Sequence, residues 1–511
     1  MSTNDGTSAA LLRPDQRDEP LPRLEWARAH RARPLIAFVG GAFLSGGSGA
    51  EFALEDPANE ERSGTLVESV PAEVEAAAAS AQVAFTREWS RMARRERGAR
   101  LGAFARIVRE HRAELATLES LENGKLFREA LEDVDEAADV LDYYAGWVDK
   151  LYGETCPVGD GFLNYTRREP LGVCGLVVPW NFPLLLAMWK IAPALAMGNT
   201  ALVKPAPFTS ASLLHAVDLA HEARVLPPGT VNIVLGGAVA GNALAASRNV
   251  HKISFTGSTP VGREILRASA GSNLKAVTLE LGGKSASIVF ADAPDPDAAL
   301  ARAFGAMFSH KGEKCSGPTR LLVERPLYAH FVERLAAMAE AIVCGAPFDS
   351  HSQQGPQCHR GHFERVLAYL AIGRQEGARV AAGGKRDERA GRGFFVRPTI
   401  FADVVPGMRI EQEEIFGPVL CVTPFNDEAE AVQIANGTPY GLASGLYTRD
   451  VSRAHRIAER LDAGMVFINH YGCYDFASPF GGFKESGWGK EMGVHSLDAY
   501  TRTKSVWIRI S

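Results

Sequence analysis

The chain has 511 residues, a net charge of −5, and 46% hydrophobic and 23% charged residues. At about 150 residues per domain, this length allows about three domains or one large bilobal body with a sizeable core. The mildly acidic balance gives no electrostatic case for nucleic acid, and the most basic stretch, 87–112, interleaves its arginines with apolar residues as surface helices do.

Residues 1–19 are polar and carry no basic-then-apolar leader pattern, so a flexible tail and a cytoplasmic protein are expected. The seven cysteines (156, 174, 315, 344, 358, 421, 473) form no CxxC pair and fit a reducing compartment. Residues 35–44, "LIAFVGGAFL", read as a short hairpin around Gly40–Gly41, and 71–150 read as helical. The apolar stretch 171–203 contains Pro179, Asn181, Pro183, Lys190 and Pro193, which favours a buried core segment over a membrane span. Within and after it, strands are expected at 172–179, 200–205, 231–236, 251–257 and 276–283. Helices are expected at 184–196 and 210–223, the latter with Leu213, Leu214, Val217 and Ala220 on one face. Near-continuous apolar strands alternating with helices imply a parallel sheet covered on both faces, which binds ligands beyond the carboxyl ends of its strands. A second alternating region runs from "SASIVF" (285–290) to "MVFIN" (465–469), with helices near 297–308, 327–343 and 450–460. The segments 161–170 and 504–510 belong to neither region. Isolated strands are marginal in water, so both are expected to pair between subunits of a homodimer or homotetramer.

Chemistry-bearing residues cluster at the strand ends. "KGEKCSGPTR" (311–320) sets Cys315 among polar and small residues, unlike a structural core cysteine. "FTGSTPVG" (255–262) ends a strand and opens a helix: Gly257 allows the turn, Ser258 and Thr259 can cap, and the free N–H groups suit a phosphate. It lacks both the GxGxxG and the GK[ST] fingerprints. Lys204 ends a neighbouring strand, where it can donate to ribose hydroxyls or simply be a surface lysine. Asn181 follows another strand between Trp180 and Phe182, and its amide suits an oxyanion or an Asx turn. Glu280, between Leu279 and Leu281 and followed by two glycines, suits a general base whose pKa is raised by apolar surroundings; the plainer reading is a strand-end glutamate paired with a lysine. "CHRGH" (358–362) opens an amphipathic helix without a second ligand group at a useful spacing, and no metal site is expected.

With these motifs in hand, the sequence resembles the NAD(P)-dependent aldehyde dehydrogenase superfamily. The resemblance is carried by "PWNFPL", "WKIAPALAMGNTALVKPA", "FTGST", "LELGGKS", "EEIFGPV" (413–419) and "PFGGFKESGWGKEMG" (479–493), spread over some 315 residues in the family's order. It implies an α/β fold with two doubly wound parallel-sheet domains and a β-arm for oligomerisation. The NAD(P)-binding domain would comprise 20–147 and 171–282, the catalytic domain 283–485, and the arm 148–170 and 486–511. It implies Cys315 as nucleophile, Glu280 as general base and Asn181 as oxyanion donor with the Cys315 N–H. Lys190 and Glu491 match proton-relay positions. Lys204 and Glu414 match ribose ligands, Ser258 and Trp180 line the phosphates, Gly257 and Leu281 match further cofactor positions, and Phe416 packs near the nicotinamide. Phe182, Leu186, Trp189, Tyr474 and Phe480 match the tunnel for a small-molecule aldehyde with an alkyl or aryl body.

The sequence departs from the family in four places. Glu313 stands where many members have Gln, Lys314 where they have a neutral residue, and Lys311 and Lys314 are expected to favour a Cys315 thiolate. Glu280 and Cys315 are 35 positions apart, one more than usual, with the extra residue assigned to the loop 292–297. Pro207 replaces a glutamate common in NAD-preferring members, which leaves both NAD and NADP as coenzymes. Lys314 argues against a cationic substrate. A CoA-acylating dehydrogenase is the nearest rival, against which Glu280 speaks. A cofactor-free thiol hydrolase would need a histidine partner, for which only His310 is near, and would leave "FTGST" and "EEIFGPV" without a role.

Overall fold

The computed structural model describes residues 20–510; the expected tail, 1–19, lies outside the described residues. Two sheets organise the chain. The first has eight strands in the order Ala42–Phe43, Phe38–Val39, Val231–Ile233, Thr200–Lys204, Val173–Val177, Lys252–Thr256, Ala276–Glu280, Gly487–Trp488. Its five central strands pair in parallel, and all but the last are buried from end to end, as continuous apolar runs require. The outer strands are antiparallel. The expected hairpin supplies two, with Phe38 opposite Phe43, and Gly487–Trp488 supplies the other beside Leu279 and Glu280. Residues 487–488, grouped with the arm from sequence, thus edge the eight-stranded sheet next to Glu280.

The second sheet has seven strands in the order Arg379–Ala382, Thr399–Ala402, Val419–Phe425, Arg320–Glu324, Ala286–Val289, Ala443–Tyr447, Met465–Ile468, parallel except at the Arg379–Ala382 edge. Helices cover both sheets. In the helix Pro71–Arg87, Val74, Ala77, Ala78, Ala81 and Ala84 are buried, a stripe of helical period with Pro71 at its start. The helix Pro183–Ala196 is buried all round and carries Lys190 into the centre of the molecule. An antiparallel pair, Glu51–Asp56 with Glu61–Val67, has no counterpart in the sequence reading.

The orphan segments find each other. Phe162–Pro170 and Thr501–Arg509 pair antiparallel over nine residues within the chain, and Thr155–Cys156 adds a third strand. Their first partner is therefore intramolecular, and the expectation of pairing between subunits is corrected to that extent. A long connection separates the two segments in sequence, so nothing local betrays the pairing. The Thr501–Arg509 strand remains an edge, with Trp507, Ile508 and Ile510 exposed.

Candidate active site

The carboxyl ends of the parallel strands converge on one region. Val173–Val177 leads to Trp180 and Asn181, Thr200–Lys204 ends in Lys204, Lys252–Thr256 leads to Gly257 and Ser258, and Ala276–Glu280 ends in Glu280.

Cys315 arrives on a turn after the helix Pro296–Phe308, whose first turn is capped by Asp295 accepting the Ala298 N–H at 2.9 Å. His310, Lys311 and Gly312 all have left-handed backbone, with φ of 48°, 61° and 73°. Such residues persist only where the surroundings hold them. The His310 N–H donates to Glu129 Oε1 at 2.8 Å, and Lys311 Nζ donates to the carbonyl and Oδ1 of Asn123 at 2.7 and 2.8 Å. Gly312 is required, since a Cβ there would stand 2.4 Å from the Gly417 carbonyl. Asn181 Nδ2 donates to the Glu313 carbonyl at 2.9 Å, which fastens the amide to the backbone two residues before the cysteine. An amide carries two hydrogens, so a second donor remains.

Charges beside Cys315 divide by role. Lys311 Nζ lies 2.7 Å from Glu313 Oε2, both buried, and Glu313 Oε1 accepts the Cys358 N–H at 3.0 Å. Burial pushes the Glu313 carboxyl up to about 7 although Lys311 opposes it. Lys311 is thus a structural cation that ties the turn to Asn123, and its expected action on the thiol is corrected. Lys314 does favour the Cys315 thiolate. Against it stand burial and then the Glu280 and Glu414 carboxyls, which together hold the thiol well above its ordinary range. Lys314 also faces Asp133, Glu129 and Glu136, so its charge is countered and does not by itself exclude a cationic substrate.

Glu280 is buried, and its Oε1 has no hydrogen-bond partner. Burial first, and the Glu491 carboxylate second, raise its pKa well above the usual carboxyl range, with Lys190 and Lys490 opposing. The expected base environment is present, and the plain lysine-paired alternative is not. The two glycines that follow have definite occupants. A Cβ on Gly282 would stand 2.3 Å from Glu414 Oε2, and one on Gly283 would stand 2.6 Å from the Cys315 carbonyl. Behind Glu280, Lys190 Nζ lies 2.5 Å from Glu491 Oε1, and Ser254 Oγ bridges the pair at 2.9 and 3.0 Å.

On the cofactor side, Lys204 Nζ donates to the carbonyls of Pro205 and Gly236 at 3.0 and 2.9 Å, and burial lowers its pKa to about 8. Glu68, which the sequence reading missed, opposes that shift and accepts the Gly237 N–H at 2.7 Å. Only the fold brings 68 next to 204 and 237. Ser258 stands before the helix Thr259–Ala270, exposed and without a capping bond, while Thr259 Oγ1 donates to the Glu485 carbonyl at 3.1 Å. The expected hydroxyl cap is absent, and the helix start keeps its N–H groups for a ligand. Leu281 closes under that helix, where a Cβ on Gly262 would meet it at 2.9 Å. Trp180 packs on Phe416 at 5.3 Å and on His362 at 4.8 Å, and His362 Nε2 meets the Phe416 carbonyl at 2.7 Å. Phe416 itself has φ of 64°. Glu414 Oε1 accepts the Gly283 N–H at 2.9 Å, which draws its carboxylate toward Cys315.

Comparison with known proteins agrees with this geometry. Residues 43–506 match the aldehyde dehydrogenase family. The chain belongs to the aldehyde dehydrogenase family. It is 44% identical over 480 residues to an aldehyde dehydrogenase of Emericella nidulans, covering 94% of this chain and 96% of that one. It is 45% identical over 445 residues to the human mitochondrial aldehyde dehydrogenase, covering 87% and 85%. The NAD+ complex of a Bacillus cereus aldehyde dehydrogenase superposes with a TM-score of 0.92 at 42% identity, covering 96% and 99%. No helix among the described residues is long and apolar enough to cross a membrane.

Aromatic residues gather in the apolar cluster that Cys315 packs against. Trp189 meets Phe480 at 5.1 Å, Tyr474 meets Phe480 at 5.6 Å, and Tyr474 Oη hydrogen-bonds Ser316 Oγ at 2.6 Å. Leu186, Trp189 and Phe480 belong to the same apolar cluster that Cys315, Phe182 and Tyr474 pack against. Phe182 lies between Lys125 Nζ, 4.8 Å from its ring centre, and the His310 ring at 4.7 Å. Ser254, which bonds Lys190 and Glu491, and Ser316, which bonds Tyr474, were also missed. A lone serine inside a strand or beside a cysteine carries no signal in sequence.

Proposed function

We propose that this aldehyde dehydrogenase oxidises a small aldehyde with an alkyl or aryl body to its free carboxylic acid, with NAD as hydride acceptor. The observation that carries the reading is Glu280, a buried carboxyl with a partnerless oxygen, three residues before Gly283, which packs against the Cys315 carbonyl. The unbonded Ser258 helix start, Lys204 and the Trp180–Phe416 pair fit a dinucleotide, with Gly257, Leu281 and Glu414 completing its cradle. Bound there, NAD supplies the acceptor for the hydride. Pro207 brings no carboxylate to repel a 2′-phosphate, so NADP is tested beside it.

In this reading Cys315 attacks the aldehyde carbon as a thiolate, because the thiol is a poor nucleophile. Asn181 Nδ2 and the Cys315 N–H hold the oxyanion, and loss of hydride from the carbon leaves a thioester on Cys315. Glu280 takes a proton from a water that attacks the thioester, and the carboxylate departs with Cys315 regenerated. The Lys190–Ser254–Glu491 chain offers Glu280 an exit for that proton. Residues 20–147 with 171–282 hold the coenzyme, 283–485 carry the nucleophile, and the three-stranded arm offers its exposed Thr501–Arg509 edge to a second copy, giving a homodimer or homotetramer. Seven unpaired cysteines support a reducing, cytoplasmic setting.

The test is absorbance of reduced nicotinamide with a panel of aldehydes, with NAD and NADP separately and without CoA. Turnover without CoA is expected. Turnover only with CoA would replace the hydrolytic reading by the acylating one.

A further inference from the structure

A cluster of imidazoles lies outside the active site, among the helices Leu24–Arg31, Arg112–Asn123 and Ala211–Glu222. His111 Nδ1 is 2.7 Å from Glu114 Oε2, and His215 Nε2 is 3.4 Å from the same oxygen. These three ligand atoms lie within 4.8 Å of one another, and all three side chains are partly buried. From His111, Glu114, His215 and their surroundings we infer a transition-metal site for zinc or a similar borderline divalent ion, with three protein ligands and one open position.

The chemistry of the set favours such an ion. Two neutral imidazoles and one carboxylate suit zinc, nickel or copper, whereas calcium and magnesium take oxygen ligands. Tetrahedral zinc, with bonds of about 2.0–2.2 Å, places its ligand atoms roughly 3.4 Å apart. The present spacings are 2.7 Å for His111 Nδ1 to Glu114 Oε2, 3.4 Å for His215 Nε2 to the same oxygen, and within 4.8 Å throughout, so the first opens and the longest closes by small side-chain movements that partly exposed groups can make. Ligation by His111 Nδ1 and His215 Nε2 leaves each ring's proton on its other nitrogen, as a neutral imidazole requires.

The surroundings already resemble an outer shell. Arg23 lies 3.2 Å from Glu114 Oε1, holding the carboxylate by the oxygen that does not face the imidazoles. Trp26 packs on His215 at 5.0 Å, and the His30 ring lies 5.1 Å from His215. His111 and Glu114 are close in sequence, but His215 is 101 positions from Glu114, which is why no ligand motif is visible in the chain. An ion here would tie the start of the helix Arg112–Asn123 to the helix Ala211–Glu222, beside the N-terminal helix that carries Trp26 and His30.

The experiment is a calorimetric titration of chelator-treated, full-length protein with zinc chloride. One ion per chain is expected, and His111→Ala, His215→Ala and the shape-preserving Glu114→Gln should each weaken it at least tenfold. His351→Ala, at an exposed histidine away from the cluster, should leave it unchanged. Cobalt bound in place of zinc should show a visible d–d spectrum without sulfur-to-cobalt charge transfer. An identical zinc isotherm in wild type and all cluster variants, or a cobalt spectrum of thiolate type alone, would overturn the assignment.

Discussion

Lys204 puts a buried ammonium where a coenzyme ribose is expected, and the replacement Lys204→Met separates its two consequences. A fall from 10.5 to about 8 means that burial makes the charged form less favourable by about 3 kcal/mol at pH 7, at about 1.4 kcal/mol per tenfold. Its hydrogen bonds to the Pro205 and Gly236 carbonyls return about 1 kcal/mol each. Methionine keeps the apolar stem and loses both terms, so the coenzyme-free variant should be about 1 kcal/mol more stable than wild type at pH 7. The pH dependence has a definite sign. A lysine whose folded pKa is depressed weakens the fold most below that value, and the loss is recovered as pH rises from about 8 toward 10.5. By about pH 9.5 roughly 2 kcal/mol is recovered, and the variant should then be the less stable protein. Coenzyme binding should weaken at least tenfold, as loss of a charged hydrogen-bond donor implies. Urea unfolding of coenzyme-free protein at the two pH values, with NAD titration by tryptophan fluorescence, measures all three. A variant less stable at pH 7, or a difference independent of pH, would refute the reasoning.

Cys315→Ser should abolish turnover while NAD binding stays within about twofold, read by the same fluorescence titration. Glu280→Gln should give a burst of reduced nicotinamide followed by a steady state slowed at least a hundredfold; a normal steady state would remove Glu280 as base. In the wild type, thioester hydrolysis should rise with pH, because the raised Glu280 carboxyl acts as a base only after losing its proton. Lys314→Met should slow iodoacetamide alkylation of Cys315 at pH 8 by about tenfold, the low end of the effect of an adjacent opposite charge. Arg320→Met strands Glu411, whose carboxylate lies 2.7 Å from the guanidinium with both nearly inaccessible, and should cost about 3–5 kcal/mol in urea unfolding. Arg320→Met with Glu411→Leu should recover most of that loss.

The parallel sheets were legible because buried strands read as continuous apolar runs, and the strand-end residues followed from where those runs stop. Glu280, Asn181 and Lys204 could be named for that reason, and Cys315 for its polar surroundings; the structure brings the carboxyl ends of the parallel strands to one region. What escaped was long-range. The partnership of Phe162–Pro170 with Thr501–Arg509 joins segments more than 300 positions apart, and neither carries its partner's register. Glu68, Ser254 and Ser316 are ordinary residues locally and acquire roles only beside Lys204, Glu491 and Tyr474. The hairpin Glu51–Asp56 with Glu61–Val67 is charged and half exposed, so it lacks the apolar run that marked the other strands. Lys311 was misjudged because a charge beside a cysteine looks electrostatic in sequence, whereas the left-handed turn directs its ammonium to Asn123 and Glu313.

The most direct test of the mechanism is to mix Glu280→Gln protein with an aldehyde that the wild type oxidises and NAD, quench in acid within the first turnover, and locate added mass by peptide mass spectrometry. The account predicts an acyl group on the peptide containing Cys315, one per chain at most, and none when NAD is omitted. An unmodified Cys315 peptide alongside stoichiometric reduced nicotinamide would contradict it.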